Sequence, residues 1–118
     1  MIPERSRFIG DEDPIQIWWS VNGSLVDFSS GYTFTAKLTT VAAPTPAIFT
    51  KTTGFTGAAG SGTAKSGTPN LTVAWATTGE LNSLTTAGTY LLQIVALKVS
   101  DQSESTYRMK LQMLPRIG

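Results

Sequence analysis

Alternation of apolar and polar residues predicts β-strands along most of this chain. The clearest examples are residues 15–21 (IQIWWSV), 32–39 (YTFTAKLT) and 104–114 (ESTYRMKLQML), in which every second residue is apolar, from Tyr107 onward in the last of them. Because successive side chains of a strand point to opposite faces, Phe34 and Tyr107 fall on the inward face of their segments. Strands with one apolar and one polar face are typical of antiparallel sheets that cover a core.

The remaining segments predict further strands joined by short turns. Residues 47–52 (AIFTKT) and 70–77 (NLTVAWAT) alternate more weakly, and residues 89–99 (TYLLQIVALKV) are apolar on both faces, as in a central strand. The pair Asn22-Gly23 is the strongest short hairpin signal. Residues 78–84 predict one short helical turn. About seven strands with almost no helix predict an all-β fold, a single antiparallel immunoglobulin-like β-sandwich.

Two segments differ from this pattern. Residues 1–13 are rich in charges and bounded by prolines, so we predict an N-terminal arm, which is either a frayed terminus or a strap on a neighbouring subunit. Residues 53–69 (TGFTGAAGSGTAKSGTP) consist mainly of Gly, Ser, Thr and Ala, and predict either a mobile loop or a thin edge hairpin. The sandwich itself is predicted to span residues 14–118.

Composition narrows the classes of function. The 118 residues suit one domain and contain no Cys and no His, which excludes disulfides, Cys-based zinc sites and a histidine base. The net charge is +1 and 14% of residues are charged, which argues against a nucleic-acid partner. A surface this poor in charge suits a protein covered by partners, although a β-rich composition alone also accounts for it.

Motifs that carry chemistry are absent from the sequence. The acidic run Asp11-Glu12-Asp13 lacks the spacing of a calcium loop and is interpreted as a solvated turn. Gly60-Ser61-Gly62 does not fit a phosphate-binding loop and predicts a flexible tip. We therefore predict that the protein is not an enzyme and needs no cofactor or metal. No signal peptide or membrane-spanning run is evident, so we expect synthesis in the host cytoplasm and no membrane partner.

Trp18 is the strongest candidate for a binding residue. If Trp19 joins the core with Ile17, strand geometry turns Trp18 outward, and an exposed aromatic side chain often marks a binding patch. Trp18 could form a subunit interface, offer a platform for a sugar, or be covered by residues 40–46 of the same chain. The predicted subunit interface consists of Trp18, Arg5, Arg7, Phe8 and Phe55.

Several short motifs carry a resemblance to a known family. Gly10-Asp11 precedes the first strand, and the turn at residues 22–31 (NGSLVDFSSG) leads into the strand at residues 32–38. Near the end, Ala87-Gly88-Thr89-Tyr90 opens the long apolar strand, where the family has Pro-Gly-Thr-Tyr. In these features the chain resembles the immunoglobulin-like N-terminal domain of siphophage upper-baseplate proteins and related short phage tail and virion proteins.

This resemblance implies a domain that tiles or clamps a virion without catalysis. We therefore expect a bacteriophage structural protein of the tail or baseplate, located in the virion and bound to other virion proteins and to copies of itself. A capsid decoration protein of the same fold is one alternative. A carbohydrate-binding or host-adhesion module is another, in which case the partner would be a host glycan.

Overall fold

The computed structural model describes residues 4–8, 13–41, 47–63, 66–75 and 86–115. Over these ranges the protein is all-β, with ten strands and no helix. The described residues therefore contain no membrane-spanning helix. The strands are β1 (Glu4–Phe8), β2 (Ile15–Ile17), β3 (Ser20–Val21), β4 (Ser24–Leu25), β5 (Tyr32–Thr40), β6 (Phe49–Lys51), β7 (Phe55–Gly57), β8 (Leu71–Val73), β9 (Gly88–Lys98) and β10 (Glu104–Leu114).

The strands form two main sheets and a small ribbon. The larger sheet has the order β1-β10-β9-β5-β6, the smaller has the order β2-β8-β7, and β3 pairs with β4. In an immunoglobulin domain, strands G-F-C-C′ and B-E-D follow these same two orders, with β10 as G and β2 as B. All neighbours are antiparallel except β1, which runs parallel to β10, so the larger sheet is mixed rather than purely antiparallel.

The core lies between the two sheets. From the smaller sheet, Ile15 and Ile17 of β2 and their partners on β8 are fully buried, as alternation along these strands predicts. The larger sheet contributes every second residue of its long strands, as expected when two sheets pack face to face. These inward residues include Ala36, Leu38, Leu92, Ile94, Ala96, Met109, Leu111 and Met113.

Tyr90 adds a second feature of immunoglobulin-like domains. It lies near the start of β9, is buried, and its hydroxyl donates a hydrogen bond of 2.7 Å to the carbonyl oxygen of Thr86. A tyrosine that bonds back to the backbone just before this strand is known as a tyrosine corner. The Gly88-Thr89-Tyr90 motif therefore fixes the entry of the chain into the central strand.

The predicted N-terminal arm is wrong over Glu4–Phe8, because these residues form strand β1 at the edge of the larger sheet. Their partners run from Lys110 to Leu114 of β10. The charged sequence concealed this strand, since a long arginine side chain can cover apolar surface with its methylene groups while its guanidinium reaches polar partners. Residues 1–3 and 9–12, including Asp11 and Glu12, lie outside the described ranges.

The Gly- and Ser-rich segment forms a thin hairpin rather than a structureless loop. It begins with β7 and continues to a bridge in which the Ser61 backbone N–H donates to the Thr68 carbonyl oxygen at 2.9 Å. The second of the two sequence interpretations of residues 53–69 is therefore correct for the described part of this segment. The helical turn predicted for residues 78–84 lies outside the described part of the chain.

Candidate functional site

Trp18 is half-buried rather than fully exposed. It follows β2 directly, and its neighbour Trp19 is buried in the core, as predicted. The indole nitrogen of Trp18 is shielded from solvent and has no hydrogen-bond acceptor. A large open platform at Trp18 is therefore not what the structure shows. Residues 40–46 were the predicted cover of Trp18 within the same chain, and residues 42–46 of this segment lie outside the described ranges.

Arg5 and Arg7 make contacts within the chain. The guanidinium of Arg5 donates to the backbone carbonyl of Gln16, and that of Arg7 donates to the carbonyl of Asp13. Arg7 is buried, with 8% of its surface exposed. Arg5 thus connects the edge of the larger sheet to β2 of the smaller sheet, and Arg7 connects it to the segment just before β2. Phe8 is paired with Leu114 in the β1–β10 register.

Phe55 lies apart from the other predicted interface residues. It belongs to β7, whereas Trp18 follows β2, and these strands are opposite edges of the smaller sheet. Its half-buried ring stacks on Phe34 with centroids 5.4 Å apart. Arg5, Arg7 and Trp18 therefore lie near β1 and β2, whereas Phe55 lies at β7, on the opposite edge of the smaller sheet.

Phe55 instead helps to line a cleft between the two sheets, which we call the aromatic cleft. It has a volume of about 350 Å³ and opens between the first half of β5 and strand β7. Volumes of this order are found in small-ligand sites. The lining is formed by four aromatic residues, five hydroxyl residues and two glycines: Phe28, Tyr32, Phe34, Phe55, Ser29, Ser30, Thr33, Thr52, Thr53, Gly54 and Gly57.

The aromatic cleft lies where the chain passes from the larger sheet to the smaller sheet. Strand β6 pairs with β5 only from Ala36 to Leu38, and after Lys51 the chain crosses to β7 in the opposite sheet. Within the described ranges, the first half of β5 is consequently paired with β9 on one side and with no strand on the other. Gly54, at a positive φ of 84°, makes the turn into β7.

The aromatic side chains of the cleft are packed against one another. Phe34 lies within 5.2 Å of Phe28 in an edge-to-face arrangement, stacks on Phe55, and is 6.4 Å from Tyr32, measured between ring centroids. Phe28 also meets Tyr32 edge-to-face at 4.9 Å. Such contacts contribute about 0.5–1.5 kcal/mol each beyond the area they bury. The rings that form the floor of the cleft therefore pack closely against one another.

Lys51 is a buried residue beside the cleft that was not among the candidate site residues predicted from the sequence. It is buried, with 5% of its surface exposed, and its ammonium donates to the carbonyl oxygens of Thr53 (2.7 Å) and Ala74 (2.9 Å). The same ammonium lies 5.5 Å from the ring centroid of Phe55 and 5.4 Å from that of Trp75. These contacts fix the crossover from β6 to β7. Lys51 alternates with Ala47 and Phe49 in residues 47–52, and this spacing is the signal that could have identified it as an inward residue.

A tight turn beside the cleft lowers the pKa of Asp27. The Asp27 carboxylate accepts hydrogen bonds from the Ser29 hydroxyl (2.6 Å) and the Ser29 backbone N–H (2.9 Å). These bonds stabilise the charged form, so the pKa of Asp27 lies below its ordinary value of 3.8. The turn gains its full stabilisation above about pH 3.8 and loses it as the pH falls through the lower pKa of the folded state.

We predict that Ser29→Ala raises the pKa of Asp27, because the hydroxyl bond makes the largest contribution to the shift. An NMR titration of the Asp27 side chain measures this directly. Ser30→Ala is the matched control, since Asp27 makes its bonds to Ser29, and it should leave the pKa of Asp27 unchanged. Equal pKa values of Asp27 in the Ser29→Ala variant and the unmodified protein would contradict the assignment.

Comparison with known proteins gives no match to a family model, to a curated protein or to a solved structure. Within the described ranges, no group of three or more Asp, Glu, His or Cys residues is placed to hold a metal ion. The resemblance to phage baseplate domains and the absence of catalysis therefore stay predictions.

Proposed function

We propose that this protein is a structural component of a bacteriophage particle, of the tail or baseplate, which acts by packing against neighbouring copies of itself and other virion proteins. The observation that carries the proposal is the outer face of the larger sheet. There the central strand β9 presents aliphatic side chains away from the core, in addition to those that it buries. The motif resemblance to short virion proteins supports the same role.

The two faces of β9 can be compared directly. Leu92, Ile94 and Ala96 point inward and are buried. Leu91, Val95 and Leu97 point to the other side and are half-buried, and Val99, which continues this row, is 52% exposed. The outer face of a two-layer antiparallel sandwich is usually polar because it meets water. An aliphatic row at its centre supports burial against another protein.

The middle of this row lies among uncharged residues, whereas Glu104 opposite Leu97 and Lys110 opposite Leu91 place charges towards its ends. Val95 is flanked by Thr35 on β5 and Thr106 on β10, so its immediate neighbours are uncharged. The guanidinium of Arg108, further along the same face, is held by the side chain of Gln93 at 3.1 Å. Interface cores are depleted of charged residues, because a charge that loses its water must find a partner in the complex.

The test is Val95→Lys, which places a charge at the centre of the proposed interface while leaving the buried face of β9 unchanged. We expect a folded protein whose molar mass in solution falls to that of the monomer, with incorporation into particles reduced about tenfold or more, since a buried unpaired charge costs several kcal/mol. Light scattering measures the molar mass, and quantitative immunoblotting of purified particles measures incorporation.

Thr56→Lys is the matched control, because it adds the same charge at an exposed position of β7 on the outer side of the smaller sheet. This variant should assemble normally. Normal assembly of Val95→Lys would exclude the outer face of β9 as the interface. A protein that is a stable monomer and is missing from purified particles would contradict the structural role itself.

A further inference from the structure

We propose that the aromatic cleft binds an extended, uncharged peptide segment of a partner protein, which adds to the free edge of β5 as an extra strand. This inference goes beyond a structural role in a particle, because it assigns a peptide-binding site that operates in the isolated protein. It rests on three features of the cleft: an unpaired strand edge, a second edge opposite it, and an uncharged lining.

The direction of the backbone groups of β5 identifies the unpaired edge. The carbonyl of Leu38 accepts a bond from the Ile48 N–H on the β6 side (2.6 Å), whereas the carbonyl of Gly31 accepts one from Val99 on the β9 side (2.9 Å). In an antiparallel ladder, alternate residues direct both backbone groups to the same neighbour. Tyr32 and Phe34 therefore direct their N–H and C=O groups to the β6 side, as Leu38 does.

These groups meet no strand among the described residues. Strand β6 ends its pairing at the Ala36–Lys51 pair, so the positions opposite Tyr32 and Phe34 are occupied by the cleft. No described residue makes a backbone hydrogen bond to Tyr32 or Phe34 from that side. Two donors and two acceptors thus lie along residues 32–34, spaced as a partner strand requires.

Strand β7 supplies the opposite wall. The Gly54 carbonyl accepts from the Ala74 N–H (2.8 Å), and the Ala58 N–H donates to the Asn70 carbonyl (3.0 Å), so these groups face the residues that flank β8. By the same alternation, Phe55 directs its backbone groups away from β8, towards the cleft that it lines. An extended peptide between β5 and β7 would therefore find hydrogen-bonding groups on both sides. Strand addition of this kind derives affinity from main-chain bonds and specificity from pockets for alternate side chains.

The lining determines the chemistry of the segment. None of the described lining residues carries a full charge at neutral pH, and the floor consists of aromatic rings below a rim of Ser and Thr hydroxyls. The nearby ammonium of Lys51 is already bonded to two carbonyl oxygens. An acidic or basic segment would lose its water without gaining a partner. Alternate Val or Thr side chains match this cleft.

A sugar fits less well, although an aromatic floor with hydroxyl groups is compatible with one. Sugars stack on a free ring face, whereas Phe34 is contacted by the rings of Phe28, Tyr32 and Phe55. The unpaired backbone groups of Tyr32 and Phe34 also have the spacing of a strand and not of a sugar ring. The observations therefore favour a peptide, and a glycan becomes an outcome that the experiment must distinguish.

The experiment titrates the purified full chain with the peptide acetyl-Thr-Val-Thr-Val-Thr-amide and follows backbone amide shifts and hydrogen exchange by NMR. We expect the largest shifts at the Tyr32 and Phe34 amides, together with slower exchange of their protons. The peptide in which both Val nitrogens are methylated cannot donate these bonds, and it should bind about tenfold more weakly or worse.

Ser30→Arg blocks the rim of the cleft at an exposed position, and Ser20→Arg is its control at an exposed position on β3. Only Ser30→Arg should abolish the shifts. The proposal is overturned if the methylated peptide binds equally well, if Ser30→Arg leaves binding unchanged, or if chito- or cello-oligosaccharides shift these amides while the peptide does not. Because the measurement uses the isolated protein, its outcome is independent of the assembly test with Val95→Lys.

Discussion

Replacing Asn70 by alanine is expected to lower the free energy of unfolding by about 4 kcal/mol, a large part of the stability of a domain of this size. Asn70 is completely buried just before β8. Its side-chain amide donates to the carbonyl oxygens of Trp19 and Val26, both at 2.8 Å, and its side-chain oxygen accepts from the Trp19 N–H at 2.7 Å.

The size of the effect follows from the groups that the substitution leaves unpaired. Three side-chain hydrogen bonds disappear together, and the buried backbone N–H of Trp19 loses its acceptor. A buried polar group without a partner costs about 1–3 kcal/mol. The backbone N–H of Asn70 also donates to the Ile17 carbonyl (3.1 Å), so the region joins β2, the β3–β4 ribbon and β8.

Urea unfolding monitored by tryptophan fluorescence measures this loss. Gln16→Ala is the matched control, because it removes an exposed amide from the adjacent strand β2 and should change the free energy of unfolding by less than about 0.5 kcal/mol. A loss of under about 1 kcal/mol in Asn70→Ala would show that the buried amide contributes little beyond its packing.

Gly57→Ala is expected to cost about 3 kcal/mol of unfolding free energy, because the added methyl group has no room. A Cβ at Gly57 would collide with the backbone carbonyl of Phe28 and would also lie 2.9 Å from the Phe28 Cβ. The obstacle is backbone, which cannot rotate away as the end of a flexible side chain can. Glycine within a strand often marks such a close approach of a second backbone segment.

Gly31→Ala separates this effect from backbone strain. Gly31 has a positive φ of 81°, but a Cβ there would meet nothing within 4 Å. Its substitution should cost about 1 kcal/mol, the usual penalty for a left-handed conformation. Thermal or urea unfolding of both variants is the measurement. An equal loss for the two variants would contradict the proposed collision at Gly57.

Gly57→Ala also tests the proposed peptide site. Phe28 is buried beneath the aromatic cleft and contacts both Tyr32 and Phe34. If the methyl group at Gly57 displaces Phe28, the floor of the cleft moves with it. Gly57→Ala should therefore weaken peptide binding in the fraction of protein that remains folded, whereas Gln16→Ala should leave binding intact.

The sequence by itself determined the fold class and the long strands. Alternation in residues 32–39 and 104–114 predicted β5 and β10, and the apolar character of residues 89–99 placed β9 at the centre of a sheet, all of which the structure confirms. These predictions succeed because burial of every second side chain is a local property of a strand. The pattern is written in the chain wherever one sheet face meets a core.

Only the tertiary structure decided the features on which function depends. The charges of residues 4–8 predicted an arm, whereas the structure pairs these residues with β10 as a strand. Asparagine is a polar residue type that usually lies at the surface. Only the tertiary structure places the Asn70 side chain against the backbone groups of Trp19, to which it is hydrogen-bonded. The aromatic cleft depends on where β6 stops pairing with β5, which is a relation between segments distant in sequence. Alternation reports which face of a strand is buried, but the end of a strand pairing is set by where its neighbour leaves the sheet.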